Sequence, residues 1–464
     1  MHIKSLFFPN KLSEVFTPNT VAKLTYVKRK NTDDDLENYL CLAGKQIFLY
    51  GHSGGGKTTL LRNKLKSIKR NYILTHCESK TTFEELILQT FDQLERYYIS
   101  EKSSSTTNKV SSELKAEFTS INSSIEKVSS LKEQRILPVQ LSPQKLAKFL
   151  GEINSVWVIE DFHKVSITEK KRIADVIKIF IDSANDYENV KIICIGAVGT
   201  ARELIELDNN LSNRVAELFV PLLTDNQIKE IILKGTKLLN IHIENDLVDK
   251  IVYYSNNLAS VTHGLCYDIC KENEIIKEGV FTRKLNEDSF LRAVNSFVRK
   301  NSDTFKKIFD EISSKDFGWY ILKTFENSEK EYLNLEEIFY GINIHKRPAK
   351  HELEDYLTLL SSPEYKEIVR YDSSSKKYCI SSPLFKTFIK MKMALDKTEQ
   401  NEVHKRQLNK KNKKYSLERG SKELIFDEAF FEIFNKNLDL LIQQRISESK
   451  QVKIKNVLFN NDKK

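Results

Sequence analysis

The sequence predicts an α/β fold in which helices cover both faces of a parallel sheet. From Lys45 to Val220, short apolar runs rich in β-branched and aromatic residues alternate with amphipathic helical stretches. Such alternation is typical of parallel strands joined by helical crossovers. A glycine-rich loop between the first strand and the first helix of this region is the second observation. At 464 residues, the chain has room for about two to four domains.

Five strands are predicted, each an apolar run: Gln46–Tyr50, Tyr72–Cys77, Val156–Ile159, Lys191–Ile195 and Glu217–Val220. Three helices are predicted between them, over Thr58–Ile68, Phe83–Tyr98 and Pro143–Gly151. Thr82 and Glu85 form a predicted capping box at the second helix, and Ser142 caps the third. The order of these elements therefore favours a sheet built from crossover units.

The loop after the first strand matches the pattern GxxxxGK[ST] between a strand and a helix, which is the context that this motif requires. Its residues are Gly51, His52, Ser53, Gly54, Gly55, Gly56, Lys57 and Thr58, and Thr59 continues the helix beside them. Four glycines in eight residues suit a backbone that turns its N–H groups onto phosphate oxygens. Lys57 is predicted to neutralise the β and γ phosphates of ATP, and the Thr58 hydroxyl to bind Mg²⁺. The loop therefore predicts nucleotide binding.

Two adjacent acids, Glu160 and Asp161, close the apolar strand that ends at Ile159. A Walker B site is expected at this place. Glu160 is predicted to hold Mg²⁺ through water and Asp161 to act as general base, or Asp161 is itself the metal ligand. The alternative is that both acids are solvated and cap the next helix. Because the common order is Asp followed by Glu, a shorter base at the second position predicts slow hydrolysis.

Two further residues are candidates for contact with the γ phosphate. Thr200 follows the strand ending at Ile195, and its hydroxyl either senses the phosphate or caps a helix after an ordinary turn. Arg214 precedes the last strand, where a guanidinium can act as an arginine finger on a neighbouring subunit's nucleotide. The alternative for Arg214 is a structural salt bridge.

At these residues the chain resembles the AAA+ ATPases and the related STAND signalling ATPases, particularly initiator-like and transposition-regulator-like members. The likeness covers roughly Thr25–Leu395 and includes Glu160-Asp161-Phe162-His163, which is similar to the DE-x-H form of such ATPases. Tyr26-Val27-Lys28-Arg29 looks like the segment that packs by the adenine, which implies nucleotide contacts for Tyr26 and Arg29. The stretch around His263 lacks the sensor-two arginine of the family and offers this histidine as a weak substitute.

The full prediction is a P-loop NTPase parallel sheet with helices on both faces, followed by an all-α lid and a winged helix. The predicted domains are residues 1–221 as the ATPase core, 222–314 as the lid, 315–395 as the winged helix and 396–464 as a basic linker with a C-terminal helix. Within the core, the serine-rich residues 102–135 are predicted to be an insertion, either a disordered loop or an arm that contacts a partner.

Three functions are compatible with these motifs. An oligomerising ATPase would rearrange a protein partner or DNA, with Arg214 acting between subunits of a homo-oligomer. A signalling switch would change its lid and winged helix between ATP and ADP states and hydrolyse very slowly. A small-molecule kinase is disfavoured by the long lid and the winged helix. Proteins of this make-up often serve mobile-element or anti-phage systems, which only the resemblance implies.

Charge distribution bears on the partners. The helix predicted over Lys350–Leu360 carries Glu352, Glu354 and Asp355, which phosphates would repel, so protein contact is favoured there. The basic segment 405–419 is the better candidate for DNA, or else a solvated linker. No apolar run is long enough for a membrane span, and the start MHIKSLFFPNK lacks a cleavage site, so a cytoplasmic protein is expected.

Overall fold

A computed structural model describes residues 9–94, 141–197, 211, 213–286, 288–328 and 330–398. The chain divides into a compact unit, Met1–Leu395, and a second unit, Asp396–Lys464, of which only residues 396–398 are described. The serine-rich insertion, Thr200, the basic segment 405–419 and the predicted C-terminal helix lie outside the described residues.

The first part of the compact unit is built around a parallel five-stranded sheet in the order β2-β3-β4-β1-β5. The strands are β1 (Gln46–Tyr50), β2 (Asn71–His76), β3 (Ser155–Glu160), β4 (Ile192–Gly196) and β5 (Val215–Phe219). All five predicted strands are therefore present, with ends shifted by up to two residues. β1 lies between β4 and β5 in the sheet. The loop that follows the carboxyl end of β1 therefore enters the crevice where the strand order reverses. Open α/β sheets bind ligands at this place.

The first helix, α1 (Leu12–Val15), packs in the core of the helices that follow the sheet. The faces of the sheet are covered by α2 (Lys30–Cys41), α3 (Lys57–Ser67), α4 (Phe83–Gln93), α5 (Pro143–Glu152) and α6 (Ile167–Ser183). The Thr82 hydroxyl accepts a hydrogen bond from the backbone N–H of Glu85, and Ser142 caps α5 in the same way, as the sequence predicts. α3 begins one residue before the predicted start, with Gly56 as its N-cap.

Each face of the sheet has its own hydrophobic core. Phe48 and Trp157 pack with α4, α5 and α6, whereas Ile47 and Leu49 pack with α2 and α3 on the opposite face. Successive strand residues point to opposite faces, so burial on both sides requires the nearly continuous apolar runs seen in the sequence. These cores fix the carboxyl edge of the sheet, where the polar loop residues gather.

After the sheet, the chain is mostly helical. The elements are α7 (Asp225–Leu238), β6 (Ile241–His242), α8 (Asn245–Ser255), α9 (Ala259–Glu272), β7 (Arg283–Lys284), α10 (Asp288–Lys300), α11 (Lys307–Ser314), α12 (Gly318–Asn327), α13 (Leu335–Gly341), α14 (Lys350–Leu360), β8 (Val369–Asp372) and β9 (Lys377–Ile380), and residues 383–398 are helical. β6 and β7 form a short parallel pair among the lid helices, which the sequence did not indicate. β8 and β9 form an antiparallel hairpin.

One hydrophobic core runs through the lid and the C-terminal helices together. It contains Ile231 of the lid, Phe325 and Phe388 of the C-terminal region, and Phe16 of the N-terminal segment. The sheet's cores contain no residue beyond Val220 among those described. The lid and residues 315–395 therefore share one hydrophobic core, and the sheet has its own core on each face.

Lys191 is a fully buried cation at the foot of β4. Its Nζ donates hydrogen bonds to the backbone oxygens of Leu42 and Lys45, the latter over 3.2 Å. Burial lowers the pKa of Lys191 to about 8, below its ordinary value of 10.5. A carbonyl pair solvates this ammonium less well than water, so the charged form is disfavoured in the folded chain.

We expect the free energy of unfolding to rise with pH through the window set by this lysine. Its folded pKa of about 8 lies below that of the unfolded chain, so the burial penalty is present below pH 8 and disappears as the pH rises towards 10.5. The gain across this window is on the order of 3 kcal/mol. Denaturant unfolding of wild type and Lys191→Met at several pH values would measure it. Equal pH slopes in the two proteins would contradict this expectation.

Candidate nucleotide-binding site

The glycines of the loop allow backbone conformations that other residues avoid. Gly54 and Gly56 have φ values of 73° and 89°, in the left-handed region. A Cβ added to Gly51 would lie 2.5 Å from the backbone oxygen of Val220, so the loop approaches the end of β5 too closely for a side chain. The loop thereby folds into the strand–turn–helix form predicted from the motif.

Lys57 opens α3, and its side chain curls back over the loop. Its Nζ donates hydrogen bonds to the backbone oxygens of Gly51 and His52, over 2.8 and 2.9 Å. Burial lowers the pKa of Lys57, while Asp161 and Glu160 oppose this change. The Lys57 ammonium therefore lies between the loop and the acidic pair. It is at the amino end of α3, where the free backbone N–H groups favour anions.

The acidic pair stands at the carboxyl end of β3, two strands from the loop in the sheet. Glu160 is largely buried; its Oε1 has no hydrogen-bond partner within the described part of the chain, and its Oε2 lies 3.3 Å from Nδ1 of His76. Asp161 adopts a left-handed backbone conformation and is about half exposed. Its Oδ2 pairs with Nζ of Lys164 over 2.7 Å. The two adjacent acids thus occupy different surroundings.

The segment before α2 lies against the loop from the other side. Arg29 is buried, and its guanidinium donates a hydrogen bond to the backbone oxygen of Gly55, while its Nε has no partner among the described residues. Burial lowers the pKa of Arg29. The Tyr26 hydroxyl donates to Asp33 over 2.8 Å, and burial, with Asp33, raises the pKa of Tyr26. Both residues line the same cavity as the loop.

A cavity of about 510 Å³ joins these groups. Its polar lining includes Lys57, Thr58, Thr59, Arg29, Glu160 and Asp161. Residues 17–22 and lid residues such as Ile231 and Ser260 form the remaining walls. Its volume is within the usual range of roughly 300–1,000 Å³ for small-molecule sites. The structure therefore brings the predicted loop, both acids, Tyr26 and Arg29 to one place between the sheet and the lid.

His263 lies in this cavity wall but is not a substitute for a cationic sensor. Its Nδ1 accepts a hydrogen bond from the backbone N–H of Thr17 over 3.0 Å, and burial lowers its pKa to about 4. The ring is therefore neutral at pH 7, because the buried side chain has no carboxylate to stabilise its charge. The sequence could not show this, since the partner, Thr17, is distant in the chain.

Three polar residues of the site were missed in the sequence. Arg62 lines the cavity one helical turn after Thr58, a spacing that places both on one face of α3 and could have indicated it. His76 and Lys164 contact the two acids, but only the pairing of β2 with β3 and the turn after Asp161 bring them there.

Arg214 is exposed. It lies at the amino end of β5, since Val215, the next residue, pairs with Gln46 at the start of β1. The phosphate loop follows the opposite, carboxyl end of β1. Arg214 therefore does not line the cavity of its own chain. Thr200 lies outside the described residues, so its role as a sensor stays a prediction.

The residues present fit a nucleotide with Mg²⁺. Mg²⁺ prefers oxygen ligands, and Thr58, Glu160 and Asp161 supply a hydroxyl and two carboxylates around one cavity. The unpartnered Oε1 of Glu160 and the unpartnered Nε of Arg29 are buried polar atoms next to this space. Buried polar groups ordinarily have partners, so these atoms mark positions for a polar ligand.

No protein-family model and no curated protein matches this chain. Among solved structures, a Walker-type ATPase of Pyrococcus abyssi is 15% identical with a TM-score of 0.48, over 79% of this chain and 96% of that one. The Aeropyrum pernix ORC2 protein is 12% identical with a TM-score of 0.47, over 83% and 100%. The RuvB branch migration motor of Thermotoga maritima is 14% identical with a TM-score of 0.38, over 78% and 94%. These likenesses are too distant to carry an argument about function.

No helix in the described ranges is both long and apolar enough to cross a membrane.

Proposed function

We propose that this chain is a regulatory P-loop ATPase of the AAA+ or STAND type, which binds ATP with Mg²⁺ and hydrolyses it slowly. The observation that carries the proposal is the single cavity shared by the phosphate loop, the acidic pair and Arg29. An ordinary turn would need neither positive φ angles at three loop glycines nor a half-buried lysine beside two carboxylates.

The chain's own residues divide the chemistry between them. Lys57 and the N–H groups at the start of α3 bind the phosphates, and Arg29, which contacts the loop at Gly55, adds positive charge. Thr58 and Glu160 hold Mg²⁺, which when bound neutralises charge on the phosphate oxygens. Asp161 accepts a proton from the attacking water.

The partner is proposed to be a protein, with DNA as the second candidate. Glu352, Glu354 and Asp355 are exposed on α14, where a winged helix would contact the major groove. Their charge opposes a phosphate backbone. DNA binding is therefore proposed only for the basic segment 405–419. Truncation at Asp396 with salt titration tests this proposal, since unchanged DNA affinity would dispose of it.

A nucleotide-dependent signalling switch is the second proposed function. It is favoured by the hydrophobic core that the lid shares with residues 315–395, because a change at the lid would then move both together. Measured turnover distinguishes the two functions. A switch would retain nucleotide through many minutes, whereas a remodelling ATPase would accelerate when its partner is added.

We expect Arg214→Ala to abolish the concentration dependence of ATP hydrolysis. Arg214 is exposed and remote from its own cavity, so any contact with nucleotide must be made on a neighbouring subunit in a homo-oligomer. The rate per subunit should rise with protein concentration in wild type and stay low in the variant. The loss at saturating concentration is expected to be about 10³-fold.

Rate and mass are measured against concentration, with and without DNA, for wild type, Arg214→Ala, Lys57→Ala and the control Arg299→Ala, another exposed arginine. Full activity in Arg214→Ala, with a rate independent of concentration, would contradict an arginine finger acting in trans.

A further inference from the structure

Residues 26–29 connect three parts of the molecule. Toward the lid, Lys234 donates a hydrogen bond to the backbone oxygen of Tyr26 over 3.0 Å, and Gln227 donates to that of Lys28 over 3.1 Å. Toward the loop, Arg29 donates to the backbone oxygen of Gly55. The position of this short segment therefore decides where the Arg29 guanidinium lies relative to the phosphate loop.

Asp33, on the first turn of α2, holds residues 26–29 in place through hydrogen bonds. It is 2% exposed. Its Oδ2 accepts a hydrogen bond from the backbone N–H of Arg29 over 2.8 Å, and its Oδ1 accepts one from the Tyr26 hydroxyl over 2.8 Å. A buried carboxylate without hydrogen bonds would destabilise the fold. Burial of Asp33 therefore requires it to keep these two hydrogen bonds.

The same carboxylate faces the helix of the loop. Nζ of Lys64, on α3, lies 3.9 Å from Oδ1 of Asp33 and 2.8 Å from Oε2 of Glu37. Lys64 is buried as well, at 5% exposure. Asp33 is therefore in contact both with residues 26–29 and with α3, the helix that begins within the loop. It does not line the cavity itself among the described residues.

We propose that Asp33 is a positioning residue for nucleotide binding, which holds Arg29 against the phosphate loop by accepting hydrogen bonds from Arg29 and Tyr26. This inference rests on the proposed function, since it concerns the affinity of that site. Asn at position 33 offers only one acceptor oxygen in place of two and lacks the charge opposite Lys64. Charge-assisted hydrogen bonds are about twice as strong as neutral ones, so the substitution should release the segment.

The neighbouring acids provide matched controls. Asp34 and Asp35 belong to the same acidic run of α2 but are exposed. Asp34→Asn and Asp35→Asn change the net charge by the same amount at the same helix end. If only Asp33→Asn weakens nucleotide binding, the cause is the loss of the Asp33 hydrogen bonds. The removal of one negative charge from the start of α2 is then excluded as the cause.

The experiment measures ADP affinity by calorimetry and ATP hydrolysis kinetics on the full chain. We expect Asp33→Asn to raise the Kd for ADP and the KM for ATP about tenfold, because one charge-assisted hydrogen bond that positions Arg29 for nucleotide binding is lost. The kcat should stay within about twofold of wild type, because the chemical step is not affected. Thermal unfolding without ligand verifies that each variant is folded at the assay temperature. In an Arg29→Met background, Asp33→Asn should change the Kd by less than about twofold.

Three outcomes overturn the inference alone. The first is nucleotide affinity in Asp33→Asn equal to wild type while Lys57→Ala loses binding. The second is a full tenfold effect in the Arg29→Met background. The third is a fall in kcat at unchanged KM, which would show only a smaller folded fraction. Wild type that binds neither ADP nor ATP would overturn the proposed function together with this inference.

Discussion

Lys57→Ala is expected to weaken ATP and ADP binding by about a hundredfold or more, corresponding to about 3 kcal/mol. The Lys57 ammonium is held beside the loop carbonyls of Gly51 and His52, where the phosphates of a nucleotide would meet it. Alanine leaves the fold of α3 intact because it favours helix, so the loss concerns the ligand and not the helix. Equilibrium titration with ADP, followed by ATP turnover, measures the effect.

The control for this variant is Lys66→Ala, an exposed lysine on the same helix. It removes an equal charge from α3 without touching the cavity, so its nucleotide affinity should equal that of wild type. Similar losses in both variants would indicate a general electrostatic effect. Undiminished binding in Lys57→Ala would contradict the assignment of the phosphate loop.

Asp161→Asn is expected to lower kcat by about 10²- to 10⁴-fold while leaving ADP affinity nearly unchanged. Asp161 lies next to the cavity with its carboxylate half exposed, so a water between it and the phosphates can be polarised. The amide cannot accept the proton, although its shape is the same. Single-turnover hydrolysis separates this chemical step from product release.

Glu160→Gln distinguishes the two acids. Glu160 is largely buried with an unpartnered Oε1, so its loss should raise the Mg²⁺ concentration needed for activity more than it lowers the rate at saturating Mg²⁺. Asp186→Asn, an exposed acid after α6, serves as the control. If the two effects are exchanged, so that Asp161→Asn raises the Mg²⁺ requirement, Asp161 is the metal ligand and Glu160 the base.

Local patterns predicted much of the fold and of the site. The five strands follow from apolar runs of the length that a doubly covered sheet requires, and the caps at Thr82 and Ser142 are contacts within three residues. The conformation of the loop could also be predicted, because its glycines, lysine and threonine stand at a fixed spacing where the loop enters the helix. Such features depend on neighbours in the chain, which the sequence displays directly.

Contacts between distant segments could not be predicted in this way. His263 was considered as a weak cationic substitute, yet the backbone of Thr17, 246 positions away, binds its Nδ1, and burial keeps it neutral. Nothing in the sequence separates Asp33 from Asp34 and Asp35, although only Asp33 is buried. Which of three adjacent acids faces the core depends on how α2 packs against α3.

The sequence by itself determined that this chain has a glycine-rich loop of the GxxxxGK[ST] form between a strand and a helix, because backbone conformation and side-chain chemistry are both encoded within eight residues. Only the tertiary structure decided what surrounds that loop. It placed Arg29 against Gly55 of the loop, paired Asp161 with Lys164 and Glu160 with His76, and joined the lid to residues 315–395 through one core. The physical reason is that hydrogen bonding, burial and charge depend on distance in space, which the packing of segments distant in the chain sets.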